Sequence, residues 1–241
     1  MHLYYMFSEP SEWTNLDEAL LAFVSDERKK KIRSFRFPKE KKLSLYAALL
    51  LPFACTDQYD LPFAEIDPVW PQKEKPRLQS HPEIHFSISH SGNCVAVAVS
   101  DEEVGLDAEL IAKAPMKTMN RAFSPNETDQ IQTSDDPNLE FYRIWTRKEA
   151  YGKFLGTGLS NHVLKSDTLL PEHTRRISEG ILTPEAAFSK DDFKKCLQEA
   201  AISSKEYPSS ALYYSVYGKK EPAELISVSP ATLLEYYLLC V

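Results

Sequence analysis

The chain has little cysteine, and what it has follows no pattern. Cys55, Cys94, Cys196 and Cys240 lie far apart in 241 residues. They offer no zinc spacing and suit a reducing compartment. His81 and His85 stand four apart, but Pro82 between them and strand-like alternation from His85 argue against a helical metal pair. No apolar run approaches a membrane span, and residues 1–7 are too short and too uncharged for a secretory signal. Positive charge is in the minority. The 28 Lys and Arg face 35 Asp and Glu, a formal net charge of -7, which disfavours wholesale binding of nucleic acid. No internal repeat of solenoid period is present. The expectation is a soluble cytoplasmic protein of one long domain or two small ones, with 43% hydrophobic residues to build a core.

Two stretches organise what is there. Residues 104–109, Val-Gly-Leu-Asp-Ala-Glu, read as a strand, so Asp107 and Glu109 point to one face. Two carboxylates side by side repel unless a cation lies between them. Residues 144–153 read as part of a helix, in which Glu149 and Lys153 stand four apart on one face. Brought together, three carboxylates and a lysine can hold a hard cation such as Mg²⁺ against a phosphate. The plain alternative is a solvated strand face and an ordinary surface ion pair.

Periodicity and caps predict the frame around them. Alternation predicts a strand over residues 2–7, and helical spacing predicts a helix over 17–24. Ser25, Asp26 and Glu27 predict the capped start of another, running toward Phe35. Pro38 suits the first position of a mostly buried helix over 39–55. Residues 57–82 read as loop with short extended pieces. Residues 84–90 and 93–100 read as a hairpin turning at Gly92 and Asn93. Ser124, Pro125 and Glu127 predict a capped helix start, and 139–155 a single helix. Further on, strand-like pieces fall at 176–182, 211–217 and 225–229, with helices at 190–201 and 231–241.

One charge run opposes the acidic balance. Nine of the 28 basic residues lie in positions 28–42: Arg28, Lys29, Lys30, Lys31, Arg33, Arg36, Lys39, Lys41 and Lys42. This is either a solvated helix face or an anion site. Residues 111–123 carry Met116, Met119 and Phe123, which suit core packing or an apolar lip for a partner helix.

The two organising stretches stand here as Gly105-Leu106-Asp107-Ala108-Glu109 and Trp145-Thr146-Arg147-Lys148-Glu149-Ala150-Tyr151-Gly152-Lys153. Upstream lie Ser87-Ile88-Ser89-His90-Ser91-Gly92 and Lys75-Pro76-Arg77. Four motifs in this order resemble the 4′-phosphopantetheinyl transferases, of the longer kind typified by the surfactin synthetase activator. The resemblance implies an α+β fold of two similar halves related by a pseudo-twofold axis, residues 1–101 and 102–241, with the active site between them in a monomer. It implies transfer of the 4′-phosphopantetheine arm of coenzyme A to a serine of an acyl, peptidyl or aryl carrier protein, releasing 3′,5′-ADP. Asp107, Glu109 and Glu149 would hold Mg²⁺; Glu149 and Lys153 would be catalytic. Arg28, Lys31, Lys75, Ser89, His90, Lys148 and Lys153 would contact coenzyme A. Glu127 has two readings, a helix cap or a group near the active site, and stays outside the metal set. Two positions depart from the family pattern. Leu43 stands where an arginine meets the 3′-phosphate, with Lys41 or Lys42 as substitutes, and Glu74 replaces a glycine. They leave open a non-catalytic nucleotide- or coenzyme A-binding chain with a decayed donor site, and a Mg²⁺-dependent hydrolase is a third possibility.

Overall fold

A computed structural model describes residues 1–8, 11–72, 74–199, 208–218 and 224–240. The first elements are β1 (His2–Phe7), α1 (Asn15–Leu21), α2 (Asp26–Ser34), α3 (Pro38–Tyr59), β2 (Pro68–Val69) and β3 (Arg77–Leu78). Next come β4 (His85–Ser91), β5 (Cys94–Ser100), β6 (Gly105–Leu110), α4 (Met119–Ala122), α5 (Pro125–Thr133) and α6 (Pro137–Leu155). The last are α7 (Asn161–Lys165), α8 (Pro171–Thr174), β7 (Ile177–Leu182), β8 (Ala187–Phe188), α9 (Lys190–Glu199), β9 (Leu212–Tyr217), β10 (Glu224–Ser227) and α10 (Pro230–Cys240).

Alternation along β5 shows how the layers form. Val95, Val97 and Val99 turn to one face and pack with Leu45, Leu49 and Leu50 of α3. Ala96 and Ala98 turn to the other and meet Leu106 and Ala108 of β6 and Val216 of β9. Branched side chains fill the space under a helix; alanines let two sheets close on each other. Each fully buried valine contributes roughly 1.5–3 kcal/mol. The result is four layers: α3 with α1 and α10, a sheet of order β10-β1-β5-β4, a sheet of order β6-β9-β7-β8, then α6. This is a mixed α+β fold of two halves, each a four-stranded sheet under a long helix.

Glycine sets the distance between β6 and α6. A Cβ on Gly105 would fall 2.0 Å from the Ala150 carbonyl oxygen. The helix backbone therefore lies directly on the start of the acidic strand. Thr146 and Ser215 hydroxyls, 2.8 Å apart, tie the same helix to β9.

The capping predictions hold: Ser25 accepts from the Arg28 amide and Ser124 forms a capping box with Glu127. The helix predicted over 39–55 runs one turn further and stops at Asp60, whose φ of 52° is left-handed. Residues 200–201 and 241 of the predicted terminal helices lie outside the described residues. The tail goes where its sequence position did not suggest. Residues 224–240 fall within the expected second half, yet β10 pairs in parallel with β1, and α10 packs on α3. Tyr237 donates to the Leu49 carbonyl at 2.8 Å and Tyr236 to the Thr56 hydroxyl at 2.7 Å. Among the described residues, no helix is long and apolar enough to cross a membrane.

Candidate active site

The two sheets meet at their edges through serine rather than through a backbone ladder. Ser87, Ser89 and Ser91 alternate along β4 and face β6. They accept the amides of Leu106, Ala108 and Leu110 at 2.9, 3.2 and 3.0 Å. Ser89 donates to Asp107 Oδ1 at 2.9 Å, and Ser91 donates to Glu109 Oε2 at 2.8 Å.

The helix covers these acids from the other side. Positions 145, 149 and 153 of α6 lie on one face. Lys153 Nζ reaches Asp107 Oδ1 at 2.8 Å and Ser89 Oγ at 3.2 Å. The Trp145 indole N–H faces the Glu109 carboxylate. Glu149 stands between them. Burial first, then the Asp107 carboxylate, push its carboxyl up to about 7. Glu109 is raised for the same two reasons in the same order. Each acid loses water and gains a like-charged neighbour, and both effects disfavour ionisation.

Asp107 is 3% exposed, and its second oxygen, Oδ2, is buried without a hydrogen-bond partner. As the side chains stand, no three Asp, Glu, His or Cys groups among the described residues converge closely enough to hold a metal. Among the described residues, Lys153 is the cation paired with Asp107. The donor set nonetheless fits a hard divalent ion: all oxygen, three carboxylates against one ammonium, and one buried oxygen unsatisfied.

The remaining expected residues divide. His90 follows Ser89 on the opposite face of β4, where it is exposed at the surface, with its pKa lowered chiefly by partial loss of surrounding water. Lys75 bonds to Glu103 and, at 2.7 Å, to the Val104 carbonyl, just before the acidic strand. Arg28 and Lys31 sit one turn apart on α2, and among the described residues no ion pair or hydrogen bond ties either to the acidic seam. Lys148 lies apart from the seam. It was expected against the donor but is 0% exposed. Its ammonium pairs with Glu127 at 2.8 Å and donates to the carbonyls of Leu164 and Ser166 at 2.9 and 2.7 Å. Glu127 is likewise engaged, by Ser124, Thr168 and Lys148, and the cap reading holds. Lys42 is no substitute for the missing arginine, because it is buried against Asp17 at 3.2 Å. Leu43 is a core residue; Lys39 and Lys41 are the more accessible cations at the start of α3.

Sequence reading missed Ser91 and Trp145 as parts of this seam. Both had a signal: Ser91 continues the alternation of Ser87 and Ser89, and Trp145 precedes Glu149 by four.

A two-half α+β chain with carboxylates and a lysine gathered at its seam is the build expected of a phosphopantetheine-transferring enzyme. Family models agree. Residues 9–102 match 4'-phosphopantetheinyl transferase, N-terminal, and residues 103–209 match the 4'-phosphopantetheinyl transferase superfamily. A 4'-phosphopantetheinyl transferase of Bacillus subtilis is 30% identical over 162 residues, 66% of this chain and 72% of the relative. The 4'-phosphopantetheinyl transferase Sfp of Bacillus subtilis strain 168 is 30% identical over 146 residues, 60% of this chain and 65% of that one. The L-aminoadipate-semialdehyde dehydrogenase-phosphopantetheinyl transferase of Xenopus laevis is 30% identical over 152 residues, 56% and 50% of the two chains. The chain belongs to the 4′-phosphopantetheinyl transferase superfamily and is of the Sfp type.

Proposed function

We propose that this 4′-phosphopantetheinyl transferase moves the arm of coenzyme A onto a serine of an acyl, peptidyl or aryl carrier protein, with Mg²⁺ held by Asp107, Glu109 and Glu149. The observation that carries the reading is the under-neutralised seam: three desolvated carboxylates, one lysine and an orphaned Asp107 oxygen. Mg²⁺, when bound, would draw charge from the pyrophosphate oxygens. The carrier serine oxygen forms a bond to the phosphorus of the arm, and the anhydride bond to 3′,5′-ADP breaks. Glu149, with a carboxyl near neutrality, takes the serine proton. Lys153 offers its ammonium to the charge that grows on the departing phosphate. On this reading residues 1–101 supply the donor contacts, through Arg28, Lys31, Lys75, Ser89 and His90. Residues 102–241 supply the carboxylates and Lys153. Both sides of the seam come from one chain, which suits a monomer, and the net charge of -7 with scattered cysteines suits a cytoplasmic protein that binds neither nucleic acid nor membrane.

The test is the intact mass of a small apo carrier protein incubated with this protein, coenzyme A and Mg²⁺. One phosphopantetheine arm is gained, and the gain disappears with EDTA. No gain on carriers of all three kinds overturns the reading.

A further inference from the structure

A serine hydroxyl has a single proton to give. On β4 the backbone of β6 dictates where that proton goes. The Leu110 amide donates to Ser91 Oγ at 3.0 Å and occupies its acceptor side. The proton is then aimed at Glu109 Oε2, 2.8 Å away. Ser87 makes the same seam contact, with the Leu106 amide at 2.9 Å, but the strand residue before Leu106 is Gly105 and offers no acid. The two serines therefore share a structural task and differ in one bond, a hydroxyl proton on a carboxylate.

We infer that Ser91 is a positioning residue for the metal site, holding the Glu109 carboxylate in place through a hydroxyl that the Leu110 amide orients. This rests on the reading of Glu109 as a metal ligand. Ser91 does not touch the substrate or the ion; it fixes the rotamer of a group that does. Outer-shell partners of this kind tune metal affinity by about ten- to hundredfold. The seam also makes Ser91 a joint between the halves, since one oxygen bonds the strand and the acid together.

The experiment uses the full chain and no coenzyme A or carrier. In a Trp13→Phe, Trp70→Phe background Trp145 is the one tryptophan left, and it faces Glu109. Mn²⁺ is titrated while its fluorescence is followed, and Tm is recorded in parallel. Ser91→Ala is expected to raise the Mn²⁺ midpoint about tenfold or more. Ser91→Thr, which keeps the hydroxyl, returns it to the wild-type range. Ser87→Ala lowers Tm and leaves the midpoint unchanged. Equal midpoints in Ser91→Ala and wild type overturn the assignment and leave the metal site standing. A wild-type protein that does not respond to Mn²⁺ overturns both.

Discussion

Lys148 and Lys153 lie five residues apart on one helix and do opposite things. Lys148 is fully buried, meets one carboxylate and donates its remaining protons to carbonyls at the carboxy-terminal end of α7. Beside it Arg147 forks onto Glu179 with two bonds of 2.7 Å, and Arg143 joins Glu140 to Glu179. On that side cations and anions balance. Lys153 is 31% exposed on its side chain and pairs with Asp107, whose second oxygen is left over, while Glu109 and Glu149 feel its charge. A charged cluster built for stability closes its own ledger. The seam cluster is left short of positive charge, and that shortfall is what the proposed Mg²⁺ site rests on.

Substitutions on each side sharpen that contrast. Glu149→Gln is expected to lower transfer about a thousandfold while leaving the melting temperature level or higher, read from carrier mass gain and calorimetry. An unchanged rate would make the open cluster as structural as the closed one. Lys148→Met should do the reverse, removing about 3–5 kcal/mol of stability by stranding Glu127. Urea unfolding measures it, and adding Glu127→Gln should restore a large part. Gly105→Ala joins the two regions. Its Cβ meets the Ala150 carbonyl, so α6 must lift from β6, at about 1–3 kcal/mol and with loss of transfer.

The cluster also predicts a pH dependence. The Glu149 carboxyl rises from 4.5 in the open chain to about 7 in the fold. Between these values the folded state holds a proton the unfolded state has released. Its stabilising share is complete below about pH 4.5 and is lost as pH rises through about 7. The melting temperature of metal-free protein should therefore fall across that window relative to Glu149→Gln, and Mg²⁺ should reduce the gap. Parallel curves would remove Glu149 from the titrating cluster.

Local chemistry explains which of these features could be read from sequence. The acid pair on β6, the Glu149–Lys153 spacing, the hairpin and the Ser124–Glu127 box all depend on neighbours within a few residues. The burial of Lys148 is hard to read because its motif draws attention to Glu149. Its own helix face, shared with Ile144 and Gly152, is apolar and small, and that pattern marks burial. The Asp17–Lys42 pair was invisible for another reason: it joins two helices, and no local period records which of several lysines turns inward. The pairing of β10 with β1 is more remote still. Its register of His2 with Glu224 spans nearly the whole chain.

That last pairing has a consequence for synthesis. The first sheet needs β10 at its edge, and the face of α3 needs Tyr236 and Tyr237. A ribosome delivers these residues after those of α3 and of the other three strands of that sheet. Until they arrive, the amino-terminal half carries an unpaired β1 edge and a bare aromatic face. The two halves are not a pair of beads that can be cut at residue 101. A segment that follows the second sheet in the chain closes the first.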